Sequence, residues 1–285
     1  MAYADFIYGV EAHKILERGV KEYNERTGTY TMRRNNVFVD LDPAEFGLPI
    51  LEGKKVFWKT AIDELFWIFI KGSDKISDLK VPKIWEKWAD ENGSIGKSYG
   101  YQAGKPFMFK LKGEDIWVRN QLDYVIQLLK RDPSSRQAEI DLWDPEDLVD
   151  MQLPPCVFAY SFTISDNKLN LLVTQRSADW AVGVPFDWLE AAVLQLLVIH
   201  ELKREGLKDL EVGKLSFSFA DAHVYEVHES ELREQLEFTN QMSGESERER
   251  PALVIPDKSI WKMKADELEV INYVPGPARS YDLIK

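Results

Sequence analysis

Apolar residues in 5–22 recur three and four apart, the spacing of an amphipathic helix, and Arg26-Thr27-Gly28-Thr29 reads as a turn leaving it. Residues 37–41 alternate apolar and polar as a strand does. A second helix is predicted over 59–71, with Ile62, Leu65, Phe66 and Phe69 on one face, Glu64 on its flank, and Gly72-Ser73 as its stop. Residues 77–113 hold no long periodic run. Their aromatics, glycines and lysines predict a long, functionally occupied loop region with short helices. Helical spacing returns over 120–130 and closes at Arg131-Asp132-Pro133.

From residue 138 onward the period drops to two. Segments 139–142, 157–164 and 169–175 read as strands, the last two joined by a hairpin turn at Asp166-Asn167-Lys168. A long helix follows over 188–204, then a strand over 214–227, a helix over 229–241, an exposed loop over 244–250 and short strands in the tail. Strands and helices do not alternate strictly, so the expected class is α+β with one dominant sheet, as a single domain spanning 1–285.

Composition narrows the function. Apolar residues make up 45% of the 285, enough for a substantial core. The start, Met1-Ala2-Tyr3-Ala4-Asp5, lacks the basic-then-apolar layout of a signal peptide. The longest apolar stretches, 65–70 and 191–199, are too short to span a bilayer, so no membrane partner is expected. One cysteine cannot form an intrachain disulfide, and a reducing cytoplasm is the simple expectation. A net charge of −12 argues against a nucleic-acid polymer as partner, which asks for a basic stripe. It leaves room for a small phosphorylated ligand held by a few convergent arginines. Four histidines and no cysteine pair show no metal-ligand spacing, so no metal is expected.

That single cysteine, Cys156, follows Leu153-Pro154-Pro155 and precedes Gln175-Arg176-Ser177-Ala178-Asp179 and Gly183-Val184-Pro185-Phe186-Asp187. A reactive thiol needs neighbouring cations to hold its thiolate. Arg176, on the paired strand, would supply one, and the two prolines would fix the approach. The plain alternative is a buried cysteine acting as a small hydrophobe. A cysteine hydrolase would ask His223 to act as base, but nothing around His223 resembles a hydrolase signature.

Other segments fall into a collinear series with this one. Arg26-Thr27-Gly28-Thr29, Lys54-Lys55-Val56-Phe57-Trp58-Lys59 and Glu64-Leu65-Phe66-Trp67 come first. Ile84-Trp85-Glu86-Lys87-Trp88-Ala89-Asp90-Glu91-Asn92-Gly93, Tyr99-Gly100-Tyr101-Gln102 and Asp132-Pro133-Ser134-Ser135-Arg136 follow. Pro154-Pro155-Cys156, the Gln175 and Gly183 segments, and Asp221-Ala222-His223-Val224-Tyr225 complete it. Ten blocks in this order, over roughly residues 10–230, resemble the thymidylate synthase family.

The resemblance implies a one-domain fold whose large mixed sheet, packed by helices, forms the interface of a homodimer. It implies 5,10-methylenetetrahydrofolate as co-substrate and a pyrimidine nucleotide monophosphate as substrate. Cys156 would add to C6 of the base, Glu64 would manage protons through ordered water, and Tyr99 would assist proton removal at C5. Arg26, Arg176 and Ser177, with Arg136 donated across the dimer, would grip the 5′-phosphate. His223 and Tyr225 would bond the sugar hydroxyl. Trp85 and Trp88 would wall the folate pocket together with Gly183 and Phe186, and Asp179 would bind the pterin. Ion pairing for the arginines and core packing for the tryptophans are the competing readings.

The chain also departs from the family. Asp187 stands where the Pro-Phe-Asn motif carries asparagine, as it does in the phage deoxycytidylate hydroxymethylases of the same family. A carboxylate accepts from the cytosine amine, whereas it opposes the O4 acceptor of uracil. Val157 replaces a histidine, Gln137 replaces a second phosphate arginine, and Ala103-Gly104 replaces Trp-Arg. Tyr281-Asp282-Leu283-Ile284-Lys285 lacks the usual apolar tail, which would let water complete the reaction. The expected activity is hydroxymethylation of dCMP. Methylation of dCMP, methylation of dUMP, and a non-catalytic nucleotide- or RNA-binding role remain open beside it.

Overall fold

Gly19 ends the first helix four residues before the apolar spacing predicts. In the computed structural model, which describes residues 2–242 and 249–284, α1 spans Tyr3–Arg18 and the chain passes directly into β1, Val20–Asn24. The Gly19 N–H caps α1 by donating to Ile15 O at 2.9 Å, and a Cβ there would meet that oxygen at 2.3 Å. Val20 and Tyr23 continue the helical spacing by accident. They lie 60% and 54% exposed on an edge strand, where pairing with β2, Thr29–Leu41, overrides local preference.

The other helices are α2, Pro43–Phe46; α3, Trp58–Leu65; α4, Tyr99–Gly104; α5, Gln121–Arg131; α6, Val184–Arg204; and α7, Glu229–Gln241. The other strands are β3, Phe107–Leu111; β4, Glu114–Val118; β5, Ala138–Asp141; β6, Val157–Ser165; and β7, Lys168–Gln175. They are followed by β8, Ala178–Asp179; β9, Glu211–Tyr225; β10, Ala252–Val254; and β11, Glu269–Ile271. Among the described residues one large sheet runs in the order β1-β2-β9-β7-β6-β5, with β8 alongside β9. It is mixed: β9 lies parallel to β7 and β8, and the remaining pairs are antiparallel. Thus the class is α+β as expected, with one large sheet packed by helices.

The core sits between that sheet and α1 and α6. Trp180, Trp188, Phe217 and Phe219 are fully buried there, with Trp188 edge-on to Trp180 at 6.0 Å between ring centres. Burying each phenylalanine stabilises the fold by about 1.5–3 kcal/mol. The predicted turn at 166–168 is a two-residue loop: Asp166 and Asn167 take φ of 50° and 55°, the pair of positive values a tight hairpin of this hand requires. Register then fixes chemistry. Val157 pairs with Gln175, so the open end of this hairpin sets Cys156 beside Arg176.

Three expectations are corrected. The β3–β4 hairpin lies within and just beyond the stretch read as loop. Its alternation was hidden because Met108 and Trp117, both more than half exposed, put apolar side chains on the outer face as well. The predicted helix over 59–71 is α-helical only to Leu65 and then widens into a π-helical turn, Phe66–Lys71. Helix α6 likewise starts at Val184, four residues early, because Pro185 is pre-shaped for a first helical turn. The loop predicted over 244–250 falls mostly outside the described residues.

Gly72 closes the π-helical turn with φ 61°, and a Cβ there would sit 2.7 Å from Gly104 Cα on α4. This close approach gives the unusual Ala103-Gly104 pair a structural reason. Gly72→Ala is expected to cost about 2 kcal/mol from backbone strain and displacement of α4. Urea denaturation checks it, and an unchanged midpoint would refute it.

Candidate active site

The antiparallel pair β6–β7 delivers the nucleophile candidate. Arg176 N–H donates to Cys156 O at 2.9 Å, its Nε donates to Pro155 O at 2.9 Å and a terminal nitrogen to Pro154 O at 2.6 Å. The guanidinium is therefore pinned, with that same nitrogen 3.7 Å from Cys156 Sγ. Tyr99 Oη accepts the Cys156 N–H at 2.8 Å from the other side. Burial pushes the Cys156 thiol up from its ordinary value, with Arg176, Tyr99 and Arg26 pulling the other way and Asp187 adding to the rise. The half-buried thiol opens onto a cleft of about 730 Å³ lined by Arg26, Trp88, Trp143, Leu153, Arg176 and Ser177. Two arginines and a hydroxyl beside a thiol suit a ligand with an anionic end and an electrophilic ring.

A set of carboxyls lies near the thiol. Asp187 sits in the first turn of α6, and Gln175 Nε2 donates to its Oδ2 at 2.7 Å. Burial raises Asp187 to about 7 against the pull of that hydrogen bond. Glu64, on the last turn of α3, is raised by burial, lowered by a hydrogen bond with Trp85, and raised again by the Asp187 charge. Glu190, one turn after Asp187 on α6, is raised by burial and by both neighbours. Like charges this close in a low-dielectric pocket cannot all ionise, so the group holds protons at neutral pH. Such a set can donate to, or accept from, a heterocyclic edge.

A third group gathers at the C-terminal end of β9. Asp179 on β8 lies opposite His223 in parallel register. Asp221 accepts from His223 Nδ1 at 2.9 Å and is itself paired with Arg33, and it is held below the usual carboxylate range despite its burial. In the neutral ring, with Nδ1 donating, the remaining nitrogen of His223 is an acceptor. Tyr225 stacks edge-on at 5.0 Å, and burial raises its hydroxyl to about 12.

Trp85 is buried among Trp67, Trp88 and Tyr99 at 5.4–5.7 Å between ring centres, so it packs the core while it also meets Glu64. Trp88 lines the cleft, and Phe186 is half-buried. At Gly183 a Cβ would come 3.5 Å from Asp187 Oδ2. Arg136 is exposed and does not line this chain's cleft.

A family model for thymidylate synthase matches residues 7–284. The chain belongs to the thymidylate synthase family. It is 35% identical to the thymidylate synthase of Bacillus licheniformis, with 99% of each chain covered. It is 37% identical to that of Bacillus phage phi3T, covering 80% of this chain and 77% of that one. The solved structure of thermostable thymidylate synthase A from Bacillus subtilis superposes with a TM-score of 0.83 at 33% identity, covering 98% of this chain and 99% of that chain. Members of this family are transferases that use methylenetetrahydrofolate as co-substrate, and no metal is needed. Among the described residues no cluster could hold one, and no helix is long and apolar enough to cross a membrane.

Sequence reasoning missed Glu190, Gln175 and Trp143. Glu190 reads as one more polar residue on a long helix. Its position three after Asp187, on the same face, was the available signal. Trp143 lies 5.7 Å below the Arg176 guanidinium and helps hold it flat over the cleft.

Proposed function

We propose that the protein transfers a one-carbon unit from methylenetetrahydrofolate to C5 of dCMP, with water completing the reaction to give 5-hydroxymethyl-dCMP and tetrahydrofolate. The observation that carries this reading is Asp187: a carboxyl, where the family has an amide, held by Gln175 and near enough to Cys156 to push its thiol upward. In its protonated form it donates to cytosine N3 and accepts from the C4 amine, and in its ionised form it still accepts from that amine.

The thiolate of Cys156 adds to C6, forming the S–C6 bond and leaving C5 electron-rich. The pinned Arg176 stabilises that thiolate against the upward pull of burial. Once C5 has taken the one-carbon unit, Tyr99 helps accept the C5 proton through water, and the bond from the methylene carbon to the folate nitrogen breaks to free tetrahydrofolate. Water then adds to the exocyclic methylene, and the S–C6 bond breaks to release Cys156. Glu64, kept protonated by burial and by the Asp187 charge, supplies and recovers a proton at the base. Arg26, Arg176 and Ser177 take the phosphate, and His223 and Tyr225 the sugar hydroxyl. Asp179, Trp88, Trp85, Gly183 and Phe186 form the folate side.

Arg136 would complete the phosphate site of a second copy, docked on the sheet face where Phe38 lies 58% exposed. Gln137, adjacent to it, brings no second charge. Water as the trapping nucleophile is supported by a tail without the family's usual apolar end, and Val157, which offers no imidazole beside the pyrimidine O4, disfavours ordinary uracil chemistry.

A second reading, methylation of dUMP, is favoured by the names of the relatives and by one chemical point. A protonated Asp187 can donate to O4 and accept from N3–H as an amide does. Pure protein is incubated with methylenetetrahydrofolate and either dCMP or dUMP, and the products are weighed by mass spectrometry. The proposal expects dCMP to gain CH2O. Gain of CH2 on dCMP would keep the base assignment and change the product. Faster turnover of dUMP than of dCMP would overturn the proposal.

A further inference from the structure

His228 is 2% exposed, sits at the turn between β9 and α7, and belongs to none of the groups described above. Its Nε2 lies 2.8 Å from the backbone oxygen of Asp282. A carbonyl oxygen only accepts, so Nε2 carries the hydrogen and the tail sets the tautomer of the ring. Nδ1 then points 3.9 Å from Asp179 Oδ2 and has no hydrogen-bond partner, although it is buried. A buried polar atom without a partner is uncommon and costs stability, which calls for a reason.

Asp179 shows the complementary half. Its Oδ1 is used internally, accepting from the N–H groups of Ala181 at 3.0 Å and Val182 at 3.2 Å. Oδ2 accepts from neither of them, and it is the oxygen His228 faces. The same imidazole packs edge-on against Tyr225 at 5.7 Å and against Tyr281 of the tail at 5.3 Å.

The tail is anchored along its length. Arg279 donates to Glu231 at 2.6 Å, Tyr281 Oη to Gln235 at 2.8 Å, and Lys87 Nζ to Leu283 O at 2.7 Å. Lys54, buried beside Asp179, lies 4.7 Å from the Tyr281 ring and donates to Ala181 O at 2.7 Å. One side chain therefore touches the tail, the sugar-side tyrosine and the Asp179 carboxylate together.

We infer that His228 is a positioning residue that couples docking of the C-terminal tail to the orientation of Asp179, so that Asp179 Oδ2 is held to accept from an N–H-bearing heterocycle. This rests on the reading that Asp179 holds the folate. With the tail docked, the ring cannot turn and stays packed against Asp179 Oδ2. With the tail undocked, the ring loses its Nε2 acceptor and is free to rotate, and Asp179 loses the side chain that fixes its orientation.

The experiment is steady-state kinetics of the full chain with methylenetetrahydrofolate varied, alongside calorimetric binding of the nucleotide alone. His228→Gln keeps a donor in reach of Asp282 O, and His228→Asn keeps a polar atom facing Asp179. Because the coupling needs both nitrogens, each variant is expected to raise the folate KM about tenfold while nucleotide affinity stays unchanged. Tyr281→Ala, which loosens the tail, is expected to raise it similarly, and adding either His228 change should raise it no further. Additive effects, or an unchanged folate KM, would overturn the coupling. An equal loss of nucleotide affinity would show a merely structural histidine and overturn it too. Asp179→Ala separates the two ideas: if it raises the folate KM while the His228 variants do not, only the coupling fails. If Asp179→Ala leaves that KM unmoved, the folate reading itself fails and takes the coupling with it.

Discussion

Replacing Cys156 with serine is expected to lower turnover by roughly 10⁴-fold or more while nucleotide affinity changes by no more than about threefold. The sulfur is the group whose attack creates a reactive C5, and an alkoxide is far less accessible at neutral pH than a thiolate. The phosphate and sugar contacts proposed for Arg26, Ser177 and His223 do not depend on it. Burial already penalises the charged thiolate, so the substitution should leave thermal stability nearly unaltered. Steady-state turnover, calorimetric binding and a thermal melt on one preparation test all three statements. A variant retaining turnover within tenfold of the parent would remove covalent catalysis from the mechanism.

Asp187→Asn should move the ratio of dCMP to dUMP turnover toward uracil by roughly 10- to 100-fold, the range expected when a buried donor–acceptor match is reversed. It also carries a pH signature. Burial places Asp187 near 7. Below that value the protonated carboxyl can serve either base, and above it the carboxylate faces uracil O4 with two acceptors opposed. Use of dUMP by the parent should therefore fall as pH rises through about 7, and the asparagine variant should lose this dependence. Stability is linked as well. A carboxyl whose folded value lies above its unfolded one contributes fully below the unfolded range, and that contribution is lost as pH rises toward 7. The asparagine variant should accordingly be more stable at pH 8, by about 1–3 kcal/mol. Urea melts at two pH values check the sign. A ratio that stays fixed with Asp187→Asn would sink the role assigned to this residue.

Where periodicity was unmixed, the fold was legible. Strands β6 and β7 alternate cleanly and are joined by residues that tolerate positive φ, so both strands and turn could be placed. The hairpin β3–β4 was not legible, since apolar residues on both faces erase the alternation, and Lys112 is no turn signal although it takes φ 51°. The end of α1 was missed because edge-strand residues imitate helical spacing. For the site, the motif residues Cys156, Arg176, Ser177 and Arg26 could be named from order alone, and they do meet in one cleft. Glu190 and His228 could not. Glu190 offered only its spacing from Asp187 and acquires its role from Glu64 on another helix, while His228 depends on Asp282 in the tail, and one chain position does not announce such a distant partner.

The pairing of Val157 with Gln175 ties manufacture of the sheet to its chemistry. The ladder hydrogen-bonds the backbone, yet its last rung also decides that Gln175 reaches Asp187 and that Arg176 lies over the sulfur. An insertion or deletion of one residue anywhere in this hairpin, even at its solvent-exposed tip, would exchange inward for outward side chains at the far end. Such a lesion would be silent to any inspection of the ligand contacts and would still abolish them, so tolerance to indels here should be far lower than surface exposure alone suggests.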